Sequence, residues 1–364
     1  MATSRSQVGL RRRGSRLSLA LGFALLPGCF GLDEAESSRL DLHQQSSQRF
    51  YREGRLQQAL QQADKALELE EDHVGMRLVR GYCLVRMGKA LDSIPEVEEA
   101  IRIFDRLTRG AGEENSRSWL GSGQAHFSRA LMHGDEMATI QRRLSSDFLD
   151  EDGRKLETGW LETEKAGRAE HLTRAEQSLR HVLTMENQAD NVWAIMELVL
   201  VLNTIGGHED EAVRLSHHAL AQLDQQNKLS RNNLRKNASL TAAHSLELER
   251  RIEENLARER ELREVVAFIE YDRGSLQAAL EQFDMLEERQ LITAIHHFNR
   301  ADIRERMGLL SEAADDLEAF LRKRSTSDDY DDVARRIFAR IDNLRKQASK
   351  TTPVAVASDS VQEG

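Results

Sequence analysis

The sequence predicts an all-α protein: an α-solenoid of antiparallel helix pairs, interrupted by long helical stretches and closed by a C-terminal capping helix. Three observations carry this. Only 3 of 364 residues are proline and 5% are aromatic, whereas 31% are charged, a composition that favours helices. The β-branched and aromatic runs between turn residues that mark strands form no series. Small residues also recur at a constant interval. Gly54 and Gly88 are 34 apart, as are Ala66 and Ala100, Gly274 and Gly308, and Ala279 and Ala313. A period of that length is the mark of a stacked supersecondary unit.

The chain opens on a segment of a different kind. Residues 1–28 hold five arginines and no acid, followed by the apolar run Leu17–Leu26. A basic stretch ahead of an apolar one of about 7–15 residues reads as an export signal, and it is too short to span a bilayer. The run ends in Leu26-Pro27-Gly28-Cys29. This resembles the lipobox of bacterial lipoproteins, from which Pro27 departs. The resemblance implies cleavage before Cys29, diacylglycerol on its sulfur and acylation of the new amino group. One acyl chain anchors only marginally at about 0.8 kcal/mol per buried CH₂, so two or three chains on one residue make attachment durable. In that family an aspartate after the cysteine retains the protein at the inner membrane. Phe30 stands there, so the resemblance implies an outer-membrane anchor facing the periplasm. Residues 29–37 form a short tether.

Residues 38–110 hold two helix pairs. In the first, Phe50 and Gly54 lead into Ala59, Ala63 and Ala66; in the second, Gly81, Leu84 and Gly88 precede Ser93, Val97 and Ala100. Residues 111–224 carry two degenerate pairs. One has Ala175, Leu179 and Val182 on its second helix; the other runs from Trp193 to Gly207 and on to Ala212, Ser216 and Ala219. A polar, acidic insertion is expected at 133–170, and a polar linker or frayed helix start at 225–242. From 243 to 348 the pattern returns. A charged helix carries Leu248, Ile252, Leu256, Leu262, Val266 and Ile269; Ala267 and Gly274 lead to Ala279, Phe283 and Leu286; Ala301 and Gly308 lead to Ala313, Leu317 and Phe320. Val333, Ile337, Ile341 and Leu344 then make an amphipathic cap over 328–348. Residues 349–364 are expected to be disordered.

The spacing has a mechanism: small residues let two helices approach, and glycine permits the left-handed turn that ends the first of each pair. The pattern resembles the tetratricopeptide repeat, two antiparallel helices in 34 residues. That resemblance implies a superhelix whose concave face, lined by the first helices, binds peptides or partner proteins. The family's groove positions fall on Gln48, Tyr51, Arg52, Tyr82, Arg86, Tyr271, Asp272, Asp302 and Arg306. Tyrosine and arginine suit interface hot spots.

Composition and motifs exclude other classes. The net charge is −10, and loss of the arginine-rich start makes the remainder more acidic. That argues against nucleic acid, where basic patches supply most of the affinity. If Cys29 is lipidated, Cys83 has no intrachain partner, and its apolar neighbours suggest a buried inert thiol. The P-loop, the dinucleotide glycine fingerprint, HExxH and GxSxG are absent. Asp150-Glu151-Asp152-Gly153 fails as a calcium loop, because Phe148 and Gly159 would fall at ligand positions. The neighbours His217 and His218, and likewise His296 and His297, point about 100° apart on a helix and read as surface or groove histidines, with His297 and Phe298 open to a ligand. Trp119, Trp160 and Trp193 read as core. No catalytic residue, metal ligand or cofactor is expected. The sequence therefore points to a membrane-anchored, non-catalytic scaffold that binds partner proteins at the cell envelope, in secretion, pilus or outer-membrane assembly. The alternatives are a recognition module for a cell-wall-acting enzyme and a self-assembling structural envelope protein.

Overall fold

The computed structural model describes residues 33–146, 148–236, 241–324 and 330–351. The signal segment, Cys29 and the tail beyond 351 lie outside the described residues. Those residues form thirteen helices and no strand: α1 Glu34–Arg52, α2 Leu56–Leu69, α3 Val74–Leu91, α4 Ile94–Thr108, α5 Ser116–Leu144, α6 Glu151–Thr184, α7 Val192–Ile205, α8 Glu209–Lys236, α9 Ala242–Asp272, α10 Leu276–Glu288, α11 Ala294–Arg306, α12 Leu310–Lys323 and α13 Tyr330–Thr351. Each odd-numbered helix through α11 packs on the even one that follows, giving six hairpins and a terminal helix. Short connections make such neighbours antiparallel. No helix among the described residues is long and apolar enough to cross a membrane.

Local chemistry sets the boundaries. Asp33 caps α1 by accepting from the Glu36 amide at 2.7 Å, while the Glu36 carboxylate accepts from the Asp33 amide at 3.3 Å, the reciprocal arrangement of a capping box. Gly54, Gly274 and Gly308 take the left-handed turn expected of them, with φ of 74°, 79° and 77°. The small residues of the second helices, Ala59, Ala63, Ala66, Ala279 and Ala313, are fully buried. Ser47 shows how close the helices come: its hydroxyl donates to the Ala59 carbonyl at 2.7 Å across the first hairpin.

Gly88 departs from the expected turn. Helix α3 continues to Leu91, and the left-handed residue is Asp92, with φ of 50°. Gly88 is buried within the helix, where a Cβ would sit 2.5 Å from Val97 Cγ2. Its lack of a side chain serves close packing of α3 on α4.

The expected insertion at 133–170 is instead the far half of the longest hairpin. Helix α5 has 29 residues and α6 has 34. Beyond the level of the neighbouring units these helices chiefly cover each other, so their apolar stripe narrows to residues such as Ile140 and Leu161. The expected linker at 225–242 is likewise helical through Lys236. Its polar residues form an interface: Asn227 and Ser230 are buried, and Asn255 Nδ2 of α9 donates to Asn227 Oδ1 at 3.1 Å.

The cap is present as α13, whose Ala334, Ile337, Ile341 and Leu344 bury against Ala313, Leu317 and Phe320 of the last hairpin.

Candidate functional site

The first helices of four consecutive hairpins converge on one pocket of about 560 Å³. Gln48, Tyr51 and Arg52 come from α1, Leu78 and Tyr82 from α3, Arg117, Leu120 and Gln124 from α5, and Trp193 from α7. On α1 and α3 these positions recur at helical spacing, which holds them on one face.

The aromatic floor is fixed from below. Phe104 of α4 is fully buried between Gly81 and Gly121: a Cβ on either glycine would lie 2.7 Å or 2.1 Å from its ring. Tyr82 stands edge-on to Phe104, with ring centroids 5.2 Å apart and planes at 68°. Its hydroxyl donates to the Arg117 carbonyl at 2.7 Å. Burial pushes the Tyr82 phenol well above its ordinary pKa, and raises Tyr51 too. Both are therefore neutral donors at physiological pH. Their rings lie 6.4 Å apart, and the Arg86 guanidinium sits 5.3 Å from the Tyr51 centroid.

Trp193 and Arg117 also line a second, more polar space of about 820 Å³ with Leu229, Arg250, Arg251 and Arg258. The Arg258 guanidinium stacks 3.6 Å from the Trp193 centroid. An aromatic face thus adjoins a polar space in which Glu247 and Glu254 pair with Arg250 and Arg258, an arrangement suited to an extended peptide with apolar and polar side chains.

Of the residues expected on this face, Gln48, Tyr51, Arg52 and Tyr82 line the pocket together, and Arg86 stacks beside it. The others sit on α9 and α11. Arg306 stacks on Tyr271 at 4.2 Å and Asp272 is exposed. Asp302 is already engaged, accepting from Arg340 of the cap at 2.5 Å. Arg117, Gln124 and Trp193 were not legible as groove residues. Trp193 directly follows the first residue of α7 behind its Asn191 cap, and that cap is the signal that could have placed it on the opening turn.

Trp193 and Trp160 are each 47% exposed, and so are not core residues. Trp119 is partly buried and donates to the Glu113 carbonyl at 2.8 Å. His217 and His218 lie on the surface, but His296 and His297 are buried. His297 lies 3.2 Å from Asp316, a buried carboxylate that also accepts from Arg300 at 2.7 Å and Arg304 at 2.7 Å. That network ties α11 to α12 through His297 Nδ1 and leaves its Nε2 buried without a partner. Cys83 is buried, and desolvation pushes its thiol up to about 12.

One grouping has no precedent in the sequence reading, which expected no metal ligand. His133, Glu136 and Glu164 place one ligand atom each within 4.8 Å of one another. Only the register of α5 against α6 brings Glu164 to the other two.

Residues 269–328 match the tetratricopeptide repeat family. Among solved structures, the chain is similar to a thermophilic TPR protein of Thermus thermophilus, with 16% identity over 74% of this chain and 98% of that one and a TM-score of 0.38. It is similar also to a tetratricopeptide repeat protein from Parabacteroides merdae, with 14% identity over 84% and 100% and a TM-score of 0.33. No curated protein matches the chain. The described residues form an all-α stack of six helix hairpins and a terminal helix. Within it, 269–328, from the end of α9 through the α11–α12 hairpin, is the stretch that matches the repeat family.

Proposed function

We propose that the protein is a non-catalytic scaffold, lipid-anchored through Cys29 at the cell envelope, that holds an extended segment of a partner protein along its first helices. The observation that carries the binding half is the shared pocket of α1, α3, α5 and α7, where Tyr51, Tyr82 and Trp193 meet Arg52 and Arg117. Large amphipathic rings and guanidinium groups are the side chains on which interface energy concentrates. The anchoring half rests on the arginine-rich start, the apolar run and Gly28-Cys29. An outer-membrane position facing the periplasm, in secretion, pilus or outer-membrane assembly, is the setting we infer.

A photo-crosslinking amino acid at Gln48 tests the binding half, with exposed Leu91 as the comparison site. The expected result is a discrete adduct from Gln48 alone that weakens at least about tenfold in Trp193→Ala, as for a hot-spot residue. Identical adducts from both sites, or no effect of Trp193→Ala, would refute the assignment. For the anchor, a palmitate analogue should label the wild type and not Cys29→Ser. Equal labelling removes Cys29 as the lipid site.

A further inference from the structure

We propose that the long α5–α6 hairpin carries a transition-metal site, with His133 Nδ1, Glu136 and Glu164 as its protein ligands and Zn²⁺ as the ion that fits best. His133 and Glu136 are three residues apart on α5 and so share a face; Glu164 reaches them from α6. His133 Nδ1 lies 3.9 Å from Glu136 Oε2 and 2.5 Å from Glu164 Oε2. In a tetrahedral zinc site with bonds of about 2.0–2.2 Å, neighbouring ligand atoms stand roughly 3.3–3.6 Å apart. The two separations bracket that value, all three atoms lie within 4.8 Å of one another, and an ion would replace the short His133–Glu164 hydrogen bond.

Three further features point to a cation. Glu136 Oε2 is buried and no donor reaches it. The neighbouring guanidinium, Arg129, stops 3.8 Å away, and its Nη1 is itself without a hydrogen-bond partner. An ion pair that leaves both atoms unsatisfied is a poor substitute for a bound ion. The imidazole is also held in place. Gly167 lets the α6 backbone close on it, since a Cβ there would lie 2.7 Å from the His133 ring, and His171 stacks on it at 5.4 Å. Locked ligand orientation is what metal sites require of their surroundings. Lastly, a pocket of about 470 Å³ lined by Glu136, Glu164 and Trp160 opens beside the three groups, with room for a water or an exogenous donor in the fourth position. One imidazole and two carboxylates suit zinc and its first-row neighbours. Calcium would need six to eight oxygens, and magnesium an octahedron of them.

The test uses the full-length chain in detergent, stripped with a chelator and titrated with Zn²⁺ against a chromophoric competitor. Expected is one tight equivalent, with affinity falling at least about tenfold in Glu136→Gln and in Glu164→Gln while helicity by circular dichroism is unchanged. His133→Ala removes the ring packed on Gly167, so the two glutamine variants keep the test decisive if that one misfolds. Cobalt substituted for zinc should give a visible tetrahedral spectrum that both glutamine variants lose. Absence of saturable binding overturns the proposal. So does one-equivalent binding that both glutamine variants retain, since the ion would then sit at other ligands.

Discussion

Replacing Gly121 with alanine should destabilise the protein, although the change raises helix propensity. The new Cβ would fall 2.1 Å from Phe104 Cε1 and 2.3 Å from Cζ, where ordinary contacts begin at 3.4 Å. The ring would have to retreat by about 1.3 Å. It cannot do so freely, because Gly81 closes on its other side and Phe104 has no exposed surface. Overpacking of this kind costs roughly 1–3 kcal/mol, against a gain of about 1 kcal/mol from replacing a helical glycine. The net expectation is a loss of up to about 2 kcal/mol. Gly159 supplies the control. It lies in α6 with nothing within 4 Å of its Cβ position, so Gly159→Ala should stabilise by about 0.5–1 kcal/mol. Adding Phe104→Leu removes the ring atoms that clash, so Gly121→Ala should cost little in that background, a coupling of about 1 kcal/mol or more. A solenoid need not unfold in one step. Urea midpoints by circular dichroism should therefore be paired with hydrogen exchange of α3–α5 amides, where the loss ought to concentrate. If Gly121→Ala and Gly159→Ala shift stability in the same direction, the account of Phe104 as a wedge between two glycines is wrong.

Asp316→Asn should cost about 3 kcal/mol, because it strips the charge that compensates the buried Arg300 guanidinium. Asp284→Asn and Glu287→Gln, whose carboxylates are about half exposed, should each cost under about 1 kcal/mol by the same denaturation measurement. Glu211 accepts both terminal nitrogens of Arg180, at 2.7 and 2.8 Å, and that hydrogen bonding holds its carboxyl below the usual range. Glu211→Gln should lose about 1 kcal/mol at neutral pH. The gap should stay full above the unfolded carboxylate pKa of about 4.3 and close as pH falls through the depressed folded value, as urea titrations of both proteins at a series of pH values would show. Cys83 should resist alkylation at pH 8 in the native state and react fully in denaturant, read from the mass of the peptide that contains it, because burial keeps its thiol protonated.

The sequence announced what depends on local spacing. Gly54, Gly274 and Gly308 sit at their turns, the buried alanines line the second helices, and α13 closes the array. Gly88 shows the limit of that reading. Glycine at a repeat position serves either a left-handed turn or a close approach, and only the packed partner, here Val97, decides between them. Polar composition misled in another way. Residues 225–236 look like a linker because their buried side chains are Asn227 and Ser230, and the donor to Asn227 Oδ1 is Asn255, which lies on the next helix and well outside the segment. Of the groove, the part on α1 and α3 was legible because those helices keep the repeat register. The part on α5 and α7 was not, since 133–170 disrupts the spacing that would have placed Arg117, Gln124 and Trp193 on the same face.

Helix α5 ties the two proposed activities to one rigid element. Its first turns present Arg117 and Gln124 to the pocket, and between them Gly121 against Phe104 and Gly123 against Leu179 fix its register. About nine residues beyond Gln124, roughly 13 Å along the axis, the same helix presents His133 and then Glu136 to α6. Sliding or rotating α5 would displace both sites at once, so the glycine contacts guard the groove and the metal ligands together. The sites remain chemically separable. Trp193 touches none of the three ligands, and Glu136 does not line the groove. Trp193→Ala should therefore weaken partner capture with zinc affinity intact, and Glu136→Gln should do the reverse, whereas Gly121→Ala should impair both.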